Sequence, residues 1–231
     1  MGAVMSIIPD PRHPRHRLLA AAAEAACPVA ELAHDAAHIM RVYRWCLHLA
    51  ADQGADADLA GAAGLLHDLV CIAKDHPDRA QGGARSAHEA EALLSAAGYL
   101  DQERDCITSA IACSSWSRGL PPTSPIAAIL QDADRLDALG LTGLLRSAAC
   151  HQDMARRRPA HEDGGLWHPA DPLGHSQRPL DDRRWCLDHC RIKLLHLRDG
   201  MHCPAARAEA ARRHAHLIAA LEALEQEALS P

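Results

Sequence analysis

The 231-residue chain has no phenylalanine, only two tyrosines and four tryptophans, and few β-branched residues. Sheet cores draw on aromatic and β-branched side chains, so a β-sandwich or barrel is excluded as the expectation. Alanine and leucine dominate instead, and both favour helix. Long apolar runs are missing too. The nearest, in RHPRHRLLAAAAEAAC, is broken by Glu24, so no bilayer-spanning helix is expected. An excess of positive charge is also lacking: the formal net charge is −6, which argues against a general nucleic-acid binder. The nine cysteines are odd in number and form no paired CxxC pattern. They read as reduced thiols, Cys186 and Cys190 sharing one helix face, in a reducing compartment. The opening MGAVMS fits only a short, loose myristoylation pattern. A cytoplasmic protein without membrane or nucleic-acid partners is the expectation, with a homodimer open.

What the chain does have is an ordered set of imidazoles and carboxylates. His38 lies in HDAAHIMRV, the pair His67–Asp68 in AGLLHDLV, and Asp134 in QDADRLDALG. Each falls in a segment with helical apolar spacing. Side-by-side burial of His67 and Asp68 after an apolar run costs several kcal/mol, of the order set by uncompensated polar burial, unless something pairs with them. Two imidazole nitrogens and two carboxylates can hold one divalent cation and leave positions for water and a substrate oxygen. Asp132 is the alternative to Asp134; at 100° per residue the two point about 200° apart, and Asp137 shares the face of Asp134.

Residues 1–14 are rich in proline and are expected to be poorly ordered. Helices are expected over 18–26 and 30–51, then over a segment capped by Asp56 or Asp58 that carries His67 and Asp68 near its end. Further helices are expected at 86–97, 101–114, 126–154, 181–198 and 204–229. Lys74–Ser86 reads as a loop, and 151–180 as a long loop, either a cap over the metal cleft or an exposed excursion. One all-α domain over 15–231 follows, with a core at about 30–150. His34 and Asp35 precede His38 by four and three residues, and are read either as partners of the metal centre or as a capping pair. Asp68, Lys74 and Asp35 are the candidate catalytic residues. Arg41, Lys74, Arg79, Arg135 and Lys193 are the candidate ligands of substrate phosphates.

Taken together, HDAAHIMRV, LLHDLVCIAKDHPDRA, LQDADRLDALGLTGLLR and LDDRRWCLDHCRIKLL resemble the HD-domain metal-dependent phosphohydrolases, and more closely their bacterial YedJ-like branch. The resemblance covers most of the chain from about Ala33. It implies an all-α HD helical bundle and a divalent metal (Mn, Co, Ni, Fe or Mg) held by His38, His67, Asp68 and Asp134. It also implies hydrolysis of a phosphate ester or anhydride, often on a nucleotide. The chain departs from the family at Ser114, where the branch carries histidine, at Cys71, where related nucleotidases carry a catalytic glutamate, and along 151–176. The extension of the cyclic-dinucleotide phosphodiesterases is absent. A non-catalytic HD module that binds nucleotide or metal is the alternative reading. A di- or triphosphate cleaved at an anhydride suits the missing acid at position 71, because an alkoxide leaving group benefits most from a general acid and a pyrophosphate needs it least.

Overall fold

The computed structural model describes residues 6–27, 32–157, 159 and 163–230. Among them the regular structure is helical, with one isolated bridge between Gly165 and Trp185. No described helix is long and apolar enough to cross a membrane. Close contacts group the chain into two compact units, one drawn from residues 1–30 and 34–135, the other from 31–33 and 136–231.

In the first unit, α1 (His16–Ala26) packs with α2 (Ala36–Gln53) and α3 (Ala57–Leu66). Asp35 caps α2 by accepting from the His38 amide at 2.9 Å, and Gly54 ends it in the left-handed region at φ 63°. Asp56, rather than Asp58, caps α3. From Ala60 to Leu66 every residue of α3 is buried. Such all-round burial needs backbones in near contact, and glycines supply it. A Cβ on Gly64 would stand 2.9 Å from Cys46 Sγ and 3.2 Å from Tyr43 Cα. Next come α4 (Gly82–Ala96) and α5 (Asp101–Ala112), which pack on each other, and α6 (Pro125–Asp137), which buries Ile126, Ile129, Leu130 and Ala133. Residues 6–14, where poor order was expected, carry a buried Ile7, and the Asp10 amide donates to Tyr43 Oη at 3.0 Å.

Helix boundaries differ from expectation in four places. The loop expected over 74–86 contains a 3-10 turn (Pro77–Gln81), and α4 already begins at Gly82. His67 and Asp68 lie just beyond α3, with His67 as its C-cap, rather than inside it. The single helix expected over 126–154 is two, because Gly140 takes φ 73° and the chain turns before α7 (Gly140–Arg157). The helix expected over 181–198 reduces to α8 (Cys186–Ile192) and a 3-10 stretch (Leu194–Gly200).

The second unit is built from α7, α8 and α9 (Pro204–Leu229), the last with proline at its first turn. Its aperiodic segment is pinned by one buried ion pair. Arg178 donates to both oxygens of Asp188 at 2.7 and 2.6 Å, and Asp188, fully buried, also accepts from the Asp181 amide at 2.7 Å. Arg178 further bonds Asp171, whose carboxylate accepts from the amides of His175 and Ser176.

Candidate metal centre

Three elements of the first unit deliver the four expected ligands. The Asp35 cap fixes the first turn of α2 and so places His38. The end of α3 places His67 and Asp68, and the middle of α6 places Asp134. His38 Nε2 lies 3.2 Å from His67 Nε2, 3.3 Å from Asp68 Oδ2 and 3.9 Å from Asp134 Oδ1. His67 Nε2 lies 3.4 Å from Asp68 Oδ2. Donor atoms about 2.0–2.2 Å from a shared ion stand about 3.0 Å apart in octahedral and about 3.4 Å apart in tetrahedral coordination. The three shorter spacings fit these edges, and His38, His67 and Asp134 each offer a donor atom within 4.8 Å of the others.

The chemistry of the donors agrees. His67 Nδ1 donates to Gly64 O at 2.8 Å, which leaves Nε2 as a lone pair aimed at its neighbours. A lone pair held against two carboxylates calls for positive charge between them. Burial opposes a charged His67, yet Asp68 and Asp134 outweigh it and lift its pKa to about 9. Burial would likewise raise Asp68, but His67 and His38 hold its carboxyl well below the ordinary carboxylate range. A site that recruits a proton this strongly is built for a cation. The imidazoles form a closed floor, His38 fully buried, while the side chains of Asp68 and Asp134 remain 30% and 32% exposed. Access is from the carboxylate side.

The other expected residues divide. Asp35 spends Oδ1 on the His38 amide, so it positions the ligand. Asp132 is fully buried, and Asp137 pairs with Arg146 at 3.1 Å; it is Asp134 that faces His38. Arg79 donates to Ile72 O at 2.8 Å and thereby braces the loop after Asp68. Arg135 is buried and bonds Gln131 Oε1 at 2.7 Å. Lys74 and Arg41 are half-buried in the first unit, whereas Lys193 caps α8 in the second. Ser114 is buried and its hydroxyl donates to Ile111 O at 2.9 Å. One contributor went unassigned in the sequence, the Gly64 carbonyl, which leaves no sequence signature. His34, read from its spacing of four residues as a partner of the centre or part of a capping pair, sits edge-on to His38 with ring centres 5.9 Å apart.

Residues 35–139 match the family model of the HD domain. The chain is 27% identical to protein YpgQ of Bacillus subtilis over 198 residues, 84% of each chain. A crystal structure of that protein in complex with ADP matches with a TM-score of 0.67 at 24% identity, over 92% of this chain and 97% of the other. An HD-superfamily hydrolase from Bacillus thuringiensis matches with a TM-score of 0.63 at 25% identity, over 94% and 97%. The matched span begins at the cap that places His38 and ends just beyond Asp134, so the stretch 35–139, which contains all four candidate ligands, is an HD domain.

Proposed function

We propose that the chain is a metal-dependent phosphohydrolase that acts on a nucleotide at a phosphoanhydride. The observation that carries this reading is the convergence of His38, His67 and Asp134, with Asp68 Oδ2 within 3.4 Å of both imidazoles, open on the carboxylate side. A divalent cation held there supplies Lewis acidity and lowers the pKa of a bound water. Asp68 turns Oδ2 toward both imidazoles, and its other oxygen is the acceptor for the proton that the attacking water loses as the new P–O bond forms. The bond to the leaving phosphate or pyrophosphate breaks, and that group departs as an anion without a protein acid. Cys71 in place of a carboxylic acid suits such a leaving group. Lys74 is the nearest candidate in sequence for the substrate's negative charge. The ADP bound to the B. subtilis relative supports a nucleotide, and the YedJ-like branch is compatible with the match.

The test is incubation of the Mn²⁺-loaded protein with nucleoside mono-, di- and triphosphates, with products resolved by anion exchange. Turnover of di- or triphosphates is expected, and turnover of monophosphates alone would refute the anhydride reading. Binding without turnover of any phosphate compound would favour a sensor, the reading that the internally bonded Ser114 supports.

A further inference from the structure

A second set of metal-binding side chains lies in the first unit, built from the RHPRH segment and the first turn of α3. His13, His16 and Asp58 each offer one donor atom, and the three atoms lie within 4.8 Å of one another. His13 Nδ1 stands 3.3 Å and His16 Nε2 3.5 Å from the same oxygen, Asp58 Oδ1. Both separations exceed the usual length of about 2.9 Å for an N–H···O bond. They match the edge of about 3.4 Å between ligands of a tetrahedral zinc ion. The division of labour on the carboxylate is the second observation. Arg15 takes Oδ2 through Nε at 3.0 Å, which turns Oδ1 toward the two rings.

The third observation is behind His16. The ring is fully buried, and its other nitrogen, Nδ1, meets Tyr43 Oη at 3.0 Å. Tyr43 Oη already accepts from the Asp10 amide. A phenol can serve His16 in either direction. Without a cation it donates to Nδ1, and Nε2–H goes to Asp58 O at 2.8 Å. With a cation the tautomer reverses: Nδ1–H donates to the phenol, Nε2 offers its lone pair, and the bond from Nε2 to Asp58 O is given up for the ion. A ligating histidine held through its far nitrogen is the usual arrangement in metal sites.

We propose that His13, His16 and Asp58 form a second metal site, separate from the HD centre, that takes a borderline cation of the Zn²⁺ class with water completing the shell. Two imidazoles and one carboxylate oxygen suit that class better than Ca²⁺ or Mg²⁺. The ion clamps the segment before α1 to the start of the helix that ends in His67. The role is structural, because Arg15 and the helix cover the carboxylate.

Zinc per chain, measured after chelation and equilibrium dialysis, tests this. Nine free thiols can also take zinc, so the site is read from differences between paired proteins. His13→Ala is expected to bind one ion fewer than the wild type. The same loss is expected when His13→Ala is added to a His67→Ala/Asp68→Ala double variant, whose HD centre is disabled. Loss in both pairs supports the second site even if the HD centre proves empty. Equal zinc with and without His13, in proteins of unchanged helix content, means hydrogen bonds only and overturns it. If His13→Ala does not fold, cobalt decides the matter. The double variant should show the visible absorption of four-coordinate Co²⁺, and its absence at saturating cobalt overturns the site.

Discussion

Gly64→Ala places one methyl group where the fold and the metal centre meet. Gly64 lies in the last turn of α3, where carbonyls run out of helical partners, and its oxygen is the acceptor that orients His67 at 2.8 Å. Two effects on stability oppose each other. Alanine gains about 1 kcal/mol over glycine in helix propensity. Its Cβ, however, would stand 2.9 Å from Cys46 Sγ and 3.2 Å from Tyr43 Cα, and overpacking of this kind costs about 1–3 kcal/mol. The net loss is thus about 0–2 kcal/mol by these values, small enough for the variant to stay folded. Metal binding should suffer more, because relief of the clash moves the Gly64 carbonyl away from Nδ1. Loss of such an orienting bond costs about 10–100-fold in metal affinity. Mn²⁺ titration by calorimetry, beside a urea melt, measures both. The companion Cys46→Ala/Gly64→Ala removes the nearer contact and should recover part of the affinity. Wild-type affinity in Gly64→Ala would refute the assigned role of the carbonyl.

Asp68→Ala should lose the ion of the HD centre while circular dichroism stays helical, since it deletes a ligand and little packing; a stoichiometric, active variant would remove Asp68 from the ligand set. Asp134→Ala should weaken metal binding more than Asp132→Ala in the same titration, and the reverse ranking would move the ligand to Asp132. Arg178→Ala should cost about 3–5 kcal/mol in a denaturant melt, because it strands the fully buried carboxylate of Asp188; a loss under 1 kcal/mol would mean that the carboxylate finds another partner. Acid should unfold the second unit from a defined window. Glu209 is lowered from 4.5 to about 2, first by Arg212 and also by Arg213, and Asp171 from 3.8 to about 2, first by Ser176 and also by the His175 amide. A depressed folded pKa gives stability that is complete above the ordinary value and lost as pH falls toward 2. Glu209→Gln should flatten that decline in a pH series of melts, and an unchanged slope would exclude Glu209 as a source.

The candidate metal ligands were legible because their chemistry is local. An imidazole and a carboxylate adjacent in sequence at the end of an apolar helix carry their own energetic objection, and His38 and Asp134 answer it from segments that must pack against that helix. Helix class was legible for the same reason, through spacing alone. The failures share a different cause. The turn before α7 depends on Gly140 adopting a positive φ, and a glycine can also sit harmlessly inside a helix. The clasp of 171–188 depends on one arginine reaching a buried aspartate ten residues on, with no periodicity to mark it. The roles of Arg79 and Arg135 could not be read because a guanidinium bonded to a backbone carbonyl or a glutamine looks, in sequence, like one waiting for phosphate.

The same reasoning separates the two histidine clusters of the first unit. In LLHD the candidate ligands announce themselves as an adjacent pair, and in HDAAH His38 follows its capping acid, Asp35, by three residues. His13 and His16 have no such neighbour, and the acid that completes their set, Asp58, follows His16 by 42 residues. Only the packing of α1 on α3 brings them together, and α3 can pack that closely because Gly61 offers no Cβ, which would stand 2.5 Å from His16 Cε1. A glycine chosen for helix contact thus decides whether an imidazole can reach a carboxylate. Gly61→Ala should accordingly displace His16 and abolish the zinc difference seen with His13→Ala, while Gly64→Ala should leave that difference intact. Retention of the difference in a folded Gly61→Ala would show that His16 does not depend on this contact.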